Sequence, residues 1–246
     1  MLGKYGLRKK MVEIFLTDIE ITQVFSYIKF NRNKKRRMIM SELENVLLSI
    51  PTSVANLQLP DPDLRDFYQD EQDRIFWVTT EINDGLLDLV KMIIKCNKED
   101  KGKTVEDRTP IKVFIDSPGG DVCALWTTVK AIEISKTPVY TINYCTAYSA
   151  AAELLAAGHK RYALPGTSVM VHSGSCMFGG TMEQAENMKK HFDKLGKKVT
   201  DYFLARTKID TKTYKKKAPN DWYFDEDEAL ANGVIDKIIT SFDEIL

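Results

Sequence analysis

Phe114-Ile115-Asp116-Ser117-Pro118-Gly119-Gly120-Asp121 is the stretch on which the reading of this chain turns. An apolar strand runs into a Ser-Pro-Gly-Gly turn, whose glycines offer backbone N–H groups with no side chain beside them. Further on, Val139 to Asn143 is a second apolar run. Thr146-Ala147-Tyr148-Ser149-Ala150-Ala151-Ala152 then delivers a serine to the start of an alanine-rich helix. A hydroxyl at a helix N-terminus sits where the dipole favours developing negative charge. Together the two stretches point to acyl transfer on a carbonyl, and the rest of the chain has to supply a base.

Around this centre, strands alternate with helices. Arg74 to Thr80 reads as a buried strand. Asn83 to Lys95 reads as a helix, with Leu86, Leu87, Val90, Ile93 and Ile94 at helical spacing. After a charged loop from Asn97 to Pro110 come a strand (Ile111 to Ile115), an apolar helix (Asp121 to Ser135), a strand (Val139 to Asn143) and a short helix (Ser149 to Ala157). Tyr162–Ala163 and Ser168–Val171 are short strands, and Gly174, Gly179 and Gly180 mark a hairpin-like stretch. Thr181 to Arg206 is a long charged helix with Thr181 as N-cap. A helical turn over Asp210 to Lys217, a helix over Asp225 to Ala231 ended by Asn232-Gly233, and a last strand over Val234 to Ile239 complete the pattern. The alternation implies an α/β fold with mostly parallel strands and right-handed crossovers.

Composition narrows the function classes. The chain has 246 residues, 43% hydrophobic and 28% charged, which suits one globular domain with some additional sequence. Its 35 basic and 35 acidic side chains cancel, so no global field favours nucleic acid. Lys215 to Lys217 reads as a solvated face. Cys96, Cys123, Cys145 and Cys176 form no CxxC, which fits a reduced cytoplasmic setting and gives no zinc pattern. No apolar run reaches the roughly 20 residues of a membrane span.

Residues 1–40 read as a basic, poorly structured extension, and 41–72 as a polar entry segment in which Pro51, Pro60 and Pro62 argue against a long helix. Residues 73–246 form the catalytic domain. Lys34 to Met40 can be encoded with a purine-rich AGGAGG just upstream of Met40. Translation is therefore expected to begin at Met40, and intact mass of the natively expressed protein tests this.

A serine hydroxyl is a weak nucleophile without a base. Of the three histidines, His159 lies in a polar turn and His191 on the charged helix, and both read as solvent-facing. His172 ends the strand Val169-Met170-Val171 and opens into a Gly-containing loop, where a catalytic imidazole is often mounted. Asp221, between a basic turn and the aromatic run Trp222-Tyr223-Phe224, is the best carboxylate to orient it, and burial is expected there. Trp77 and Trp126 read as core or interface residues.

Residues 65–242 resemble the proteolytic subunit of the Clp protease, a family of barrel-forming serine peptidases. The resemblance rests on four ordered blocks at matching spacing: IDSPGGDV (Ile115 to Val122), AYSAAAELLAAG (Ala147 to Gly158), LPGTSVMVHSG (Leu164 to Gly174) and DWYFDEDEALANGVID (Asp221 to Asp236). It implies a crotonase-like spiral of β-β-α units as a head (Arg74 to Val171 plus the C-terminal strand). It also implies a helical handle (Thr181 to Arg206 with the 173–180 stretch). Ser149 matches the nucleophile, His172 the general base and Asp221 the orienting acid. Gly119 and Ala150 N–H match the oxyanion-hole donors. Gly120, Asp121 and Val122 on one side, and Ser175 and Met177 on the other, correspond to strands that flank an extended substrate peptide.

The same resemblance implies a homo-oligomer of two stacked heptameric rings that degrades unfolded protein chains. An AAA+ unfoldase of the Clp type feeds it, and ATP is used only by that partner, so the chain needs no cofactor or metal of its own. Tyr148 and Ala150 stand where the family commonly has Ala and Met, and the loop Asn97 to Pro110 is longer than usual. Three other readings remain: a non-catalytic ring subunit of the same fold, a crotonase-like acyl-CoA enzyme, and a membrane-anchored signal-peptide-degrading peptidase. Subunits of the first kind usually lack a triad residue, the second needs no Ser-His-Asp set, and the third uses lysine as base.

Overall fold

A computed structural model describes residues 62–245 other than Phe178. The expectations for residues 1–61, including a start at Met40, lie outside the described residues. The segment assigned to 41–72 does contain a helix, α1 (Pro62–Asp73). Pro62 opens it rather than breaking it, because a proline in the first turn forfeits no intrahelical hydrogen bond.

The centre is a seven-stranded sheet with helices packed on it. The strands are β1 (Ile75–Val78), β2 (Ile111–Ser117), β3 (Val139–Tyr148), β4 (Lys160–Ala163), β5 (Ser168–Val171), β6 (Trp222–Asp225) and β7 (Lys237–Ile238). The main path runs β1-β2-β3-β4-β7, all parallel, while β5 branches from β3 and pairs antiparallel with β6. β3 continues past Asn143, where the apolar run ends, because it changes partner: Tyr140 to Asn143 pair with β4, and Thr146 to Tyr148 pair with β5. This switch carries the chain from the middle of the sheet to the serine. β7 is shorter than expected because Val234 and Ile235 N–H both donate to Ala229 O, closing the preceding helix instead of extending a strand.

The crossover helices are α2 (Leu87–Glu99), α3 (Val122–Ile134) and α4 (Ala150–Ala157). Every residue of α4 is buried, which its run of alanines permits: small side chains let it approach both β3 and α3 closely. The main core joins Ile111, Val113 and Ile115 of β2 to Leu89 and Ile93 of α2, Leu125 and Val129 of α3, and Leu154 and Leu155 of α4. Phe114, Ile142, Tyr162, Ile239 and Ile245 form a smaller cluster, in keeping with the period-2 alternation along β2. Trp77, read as a core or interface residue, does not join the core. It is 46% exposed and stacks on Phe114 at 4.6 Å between ring centroids.

α5 (Met182–Arg206) is the long helix, opened by a reciprocal cap between Thr181 and Gln184. Only Val199 and Phe203 on it are buried. The remainder is solvent-facing and laced with pairs one turn apart, Lys190 with Glu186 and Lys189 with Asp193 among them. Among the described residues of 173–180 no strand or hairpin pairing forms. α6 (Thr211–Lys217) and a short 3-10 turn (Ala218–Asn220) lead into β6, and α7 (Glu226–Ala231) follows it. Lys215 to Lys217 are exposed as expected, with Lys217 Nζ above the Trp222 ring. Among the described residues no helix is long and apolar enough to cross a membrane.

Candidate active site

Ser149 stands at the elbow between β3 and α4 with φ 54° and ψ −125°. Such a conformation is costly for a side chain with a Cβ and persists only where neighbours impose it. Here the Ser149 N–H donates to Met170 O at 2.8 Å, prolonging the β3–β5 ladder into the turn. The Ser149 carbonyl already accepts from Ala152 N–H at 2.8 Å, beginning the helix. The backbone is held on both sides, and the side chain is aimed out of the elbow.

His172 follows the last residue of β5. β3 and β5 are in parallel register, Tyr148 beside Met170, so the residues just past each strand end emerge together. That places Ser149 Oγ 2.6 Å from His172 Nε2. The imidazole side chain is 22% exposed. His159 and His191 lie elsewhere. His159 Nδ1 accepts the Val139 N–H at 3.0 Å, which makes it a brace at the start of β3. Its pKa is pushed down, first by burial and then by the Arg206 charge. His191 packs edge-on against Phe192 on the exposed face of α5.

Asp221 is brought to the other side of the imidazole. Its Oδ1 lies 3.5 Å from His172 Nδ1, a charge contact longer than a good hydrogen bond. The expected burial is not found: the Asp221 side chain is 56% exposed. It occupies the residue between the 3-10 turn and β6 with φ 44°, so the chain reverses there and the carboxylate stands at the sheet margin.

The glycine turn meets the serine elbow directly. A Cβ on Gly119 would lie 2.5 Å from Tyr148 O and 2.7 Å from Ser149 Cβ, so only glycine allows this approach. The allocation of its N–H differs from the expectation. Gly119 N–H donates to Ser117 Oγ at 3.2 Å, and Ser117 Oγ in turn donates to Thr80 O at 2.7 Å. Gly120 is the residue with the unspent donor. It bridges to Ile82, whose N–H and C=O bond Gly119 O and Asp121 N–H. In a parallel bridge the central residue's own N–H and C=O point away from that partner, towards the edge of β2 that faces β3. Ala150 N–H opens α4 and has no acceptor within the helix.

Asp121 and Val122 do not form the expected strand. Asp121 caps α3, its Oδ1 accepting from Ala124 N–H at 2.6 Å, and Val122 is the first helical residue. The main-chain N–H of Asp121 is committed to Ile82 O and its carbonyl to Leu125 N–H, so neither is open for pairing with a peptide. Ser175 and Met177 are exposed and outside regular structure, Met177 by 97%. Among the expected flanking residues, open main-chain groups belong to Gly120, to Val122, whose N–H is the first of α3 and has no acceptor within the helix, and to the 175–177 segment.

Two residues escape a motif reading. Tyr214 of α6 donates its hydroxyl to His172 O at 3.0 Å. Burial first, and the Glu153 carboxylate second, push its phenol up to about 12. A clue existed in the sequence, since Tyr214 is the one large apolar residue of Thr-Lys-Thr-Tyr-Lys-Lys-Lys. Glu153, one helical turn beyond Ser149, is buried among the alanines of α4, and that burial raises its pKa to about 8. Among the described residues no group of three or more His, Cys, Asp or Glu side chains is placed to hold a metal ion.

The parallel sheet, the glycine turn and the hydroxyl–imidazole pair at a strand-to-helix elbow define an α/β protein of the Clp-peptidase type. The chain belongs to the Clp protease family, whose model matches residues 66–242. It is 34% identical over 174 residues to the ATP-dependent Clp protease proteolytic subunit 2 of Bacillus licheniformis, covering 68% of this chain and 87% of that relative. It is 33% identical over 175 residues to the ATP-dependent Clp protease proteolytic subunit 3 of Synechococcus sp. strain CC9902, covering 68% and 83% respectively.

Proposed function

We propose that this Clp-type peptidase is a serine endopeptidase in which Ser149 is the nucleophile, His172 the general base and Asp221 the group that orients it. The observation that carries this reading is the 2.6 Å contact between Ser149 Oγ and His172 Nε2 at a strained elbow. His172 Nε2 takes the serine proton as Ser149 Oγ attacks the peptide carbonyl, then returns it to the departing amine. Water releases the acyl group by the reverse sequence. The oxyanion is received by Ala150 N–H and Gly120 N–H, the two donors at the elbow that are not otherwise bonded, while Gly119 supplies the clearance. One such donor is worth about 2.7–4 kcal/mol in the transition state. His172 Nδ1–H is held towards Asp221, whose carboxylate stabilises the imidazolium once it forms. A shift of roughly half an ångström would bring that 3.5 Å contact to hydrogen-bond length.

The substrate is an unfolded polypeptide bound as an extended strand along Gly120, Val122 and the 175–177 segment. Main-chain pairing of that kind reads backbone more than side chain and gives broad specificity. The working form is a homo-oligomer of two stacked heptameric rings in the cytoplasm. An AAA+ unfoldase feeds it and consumes the ATP, so the chain uses no cofactor of its own. The long helix α5 supports assembly, since Met182 and Met188 are 85% and 41% exposed along a helix with few core contacts of its own. A weakly active ring subunit is the second reading, favoured by the 3.5 Å gap and the exposure of Asp221.

The test is labelling by a serine-reactive fluorophosphonate, with Ser149→Ala and His172→Ala as controls. Labelling of the wild type and loss in both variants is the expected result. An assembled wild-type particle that takes no label would move the scaffold reading to the front.

A further inference from the structure

His172 stands one residue beyond β5, so the sheet ladder ends just before it. Two hydrogen bonds hold the main chain there. Tyr214 Oη donates to His172 O at 3.0 Å, and Ser173 N–H donates to Ala218 O at 3.1 Å. Both partners belong to α6 and the 3-10 turn after it, the segment that runs directly into Asp221. The same short piece of chain therefore grips the imidazole's backbone and carries the carboxylate that faces it.

Tyr214 is built into that position. It is 5% exposed, and its ring lies tilted against Phe203 of α5 at 6.3 Å. Asp210 caps its helix by accepting from Lys212 and Thr213 N–H, so α6 is anchored at its start. A buried hydroxyl is unfavourable unless it is hydrogen-bonded, and core packing alone would be served by phenylalanine. The hydroxyl donates to the backbone of the general base and is also hydrogen-bonded with the Thr200 side chain of α5. With the phenol pushed up to about 12, it remains a donor throughout the neutral range.

We infer that Tyr214 is a positioning residue for the peptidase reaction. Its hydroxyl fixes the main chain from which His172 hangs and couples it to the segment bearing Asp221. The inference rests on the assignment of Ser149 and His172 made above. The consequence is specific: loss of the hydroxyl loosens the imidazole without disturbing the substrate groove, so kcat falls and KM does not.

The experiment compares full-length wild type, Tyr214→Phe, Phe203→Leu and Ser149→Ala. It measures fluorophosphonate labelling rate, kcat and KM on a small fluorogenic peptide, and melting of the assembled protein. Tyr214→Phe is expected to label and turn over about tenfold more slowly, the effect of one hydrogen bond, with KM within about twofold and an unchanged melting profile. Phe203→Leu keeps the hydroxyl and disturbs only its packing, so it is expected to melt earlier and label at the wild-type rate. Wild-type rates in Tyr214→Phe would overturn the inference. So would a Tyr214→Phe that melts early or fails to assemble, or a Phe203→Leu that slows equally, since the residue would then serve the fold and not the base. Wild type that takes no more label than Ser149→Ala sinks the peptidase reading itself, and the role of Tyr214 with it.

Discussion

Among the described residues, two clusters of ionisable side chains are organised in opposite ways. At the far end of α2, Arg74 grips Asp100 with both guanidinium nitrogens, at 2.6 and 3.0 Å. Its Nη1 also reaches Thr109 O at 2.7 Å, while Asp100 accepts further from Thr137 Oγ1 and Lys103 Nζ. The Asp100 side chain is fully buried and that of Arg74 is 11% exposed. Ser149, His172 and Asp221 form the second cluster, with one short contact, one gap of 3.5 Å and a carboxylate more than half in solvent. In the first cluster the Asp100 carboxylate accepts four hydrogen bonds and both Nη atoms of Arg74 are engaged, so it ties the charged loop 100–110 to the sheet. In the second, donors at Gly120 and Ala150 are left open; positive φ does not separate the two clusters, since Arg74 shares it with Ser149 and Asp221. A saturated cluster secures the fold; an unsaturated one is available for chemistry.

Asp221→Asn should have the largest effect on the open cluster. In a buried triad the equivalent change lowers kcat by about 10⁴-fold, and here a loss approaching that is expected, with stability within about 0.5 kcal/mol of wild type. Peptide hydrolysis and thermal melting check it; a loss under about tenfold would mean that the exposed carboxylate does not orient the imidazole. Asp100→Ala should do the converse. It strands the Arg74 charge and is expected to cost about 3–5 kcal/mol in denaturant unfolding. The labelling rate of Ser149, per folded molecule, should stay at the wild-type value.

Acid sharpens the same contrast. Hydrogen bonding from Arg74 holds the Asp100 carboxyl well below the usual carboxylate range, despite its burial. A folded pKa below the unfolded one means that this contribution is present above the unfolded value of 3.8 and is lost as pH falls through the folded one. Unfolding titrations from pH 5 downward should show a steep loss in wild type and a shallower one in Asp100→Ala.

The smallest effect is expected at Glu153, which lies between the two kinds of organisation: buried like Asp100, but without a cation. Burial raises its pKa from 4.5 to about 8, so the folded state holds its proton more tightly than the unfolded state does. Stability is therefore full below the unfolded pKa and declines as pH rises towards the folded one, by up to about 1.4 kcal/mol per pH unit. Glu153→Gln removes that titration. Its gain in unfolding free energy should be larger at pH 8 than at pH 5 by about 1–3 kcal/mol. Equal effects at both pH values would show that Glu153 is not protonated in the fold.

Most elements were legible because their signals are local. The apolar run of β2, the Pro-Gly-Gly turn, the alanines of α4 and the cap at Thr181 each act within a few residues. Failures came where a partner distant in sequence decides. β3 outlasts its apolar run because β5 accepts its polar end, and Trp77, apolar and in a strand, faces outward beside Phe114. Asp121 begins a helix as its apolar run suggests, yet the substrate-flanking strand that the resemblance places at Asp121 and Val122 does not form. In the site, Ser149 and His172 were readable as residue types at strand ends. The donor at Gly120, the exposure of Asp221 and the grip of Tyr214 were not.

The order of residues alone dictates the alternation of strand and helix, the glycine at 119 and a serine delivered to a helix start, because hydrophobic period, turn chemistry and side-chain size operate over short spans. It also supplies the four ordered blocks that mark the Clp protease family. Folding in three dimensions settles which of those groups meet and which remain unbonded. The β3–β5 register sets the 2.6 Å contact between residues 23 apart in the chain. The bridge at Ile82 leaves Gly120 rather than Gly119 with a free N–H. The turn after α6 puts Asp221 in solvent. Hydrogen-bond partners are assigned only once strands have paired, and no local pattern carries that assignment.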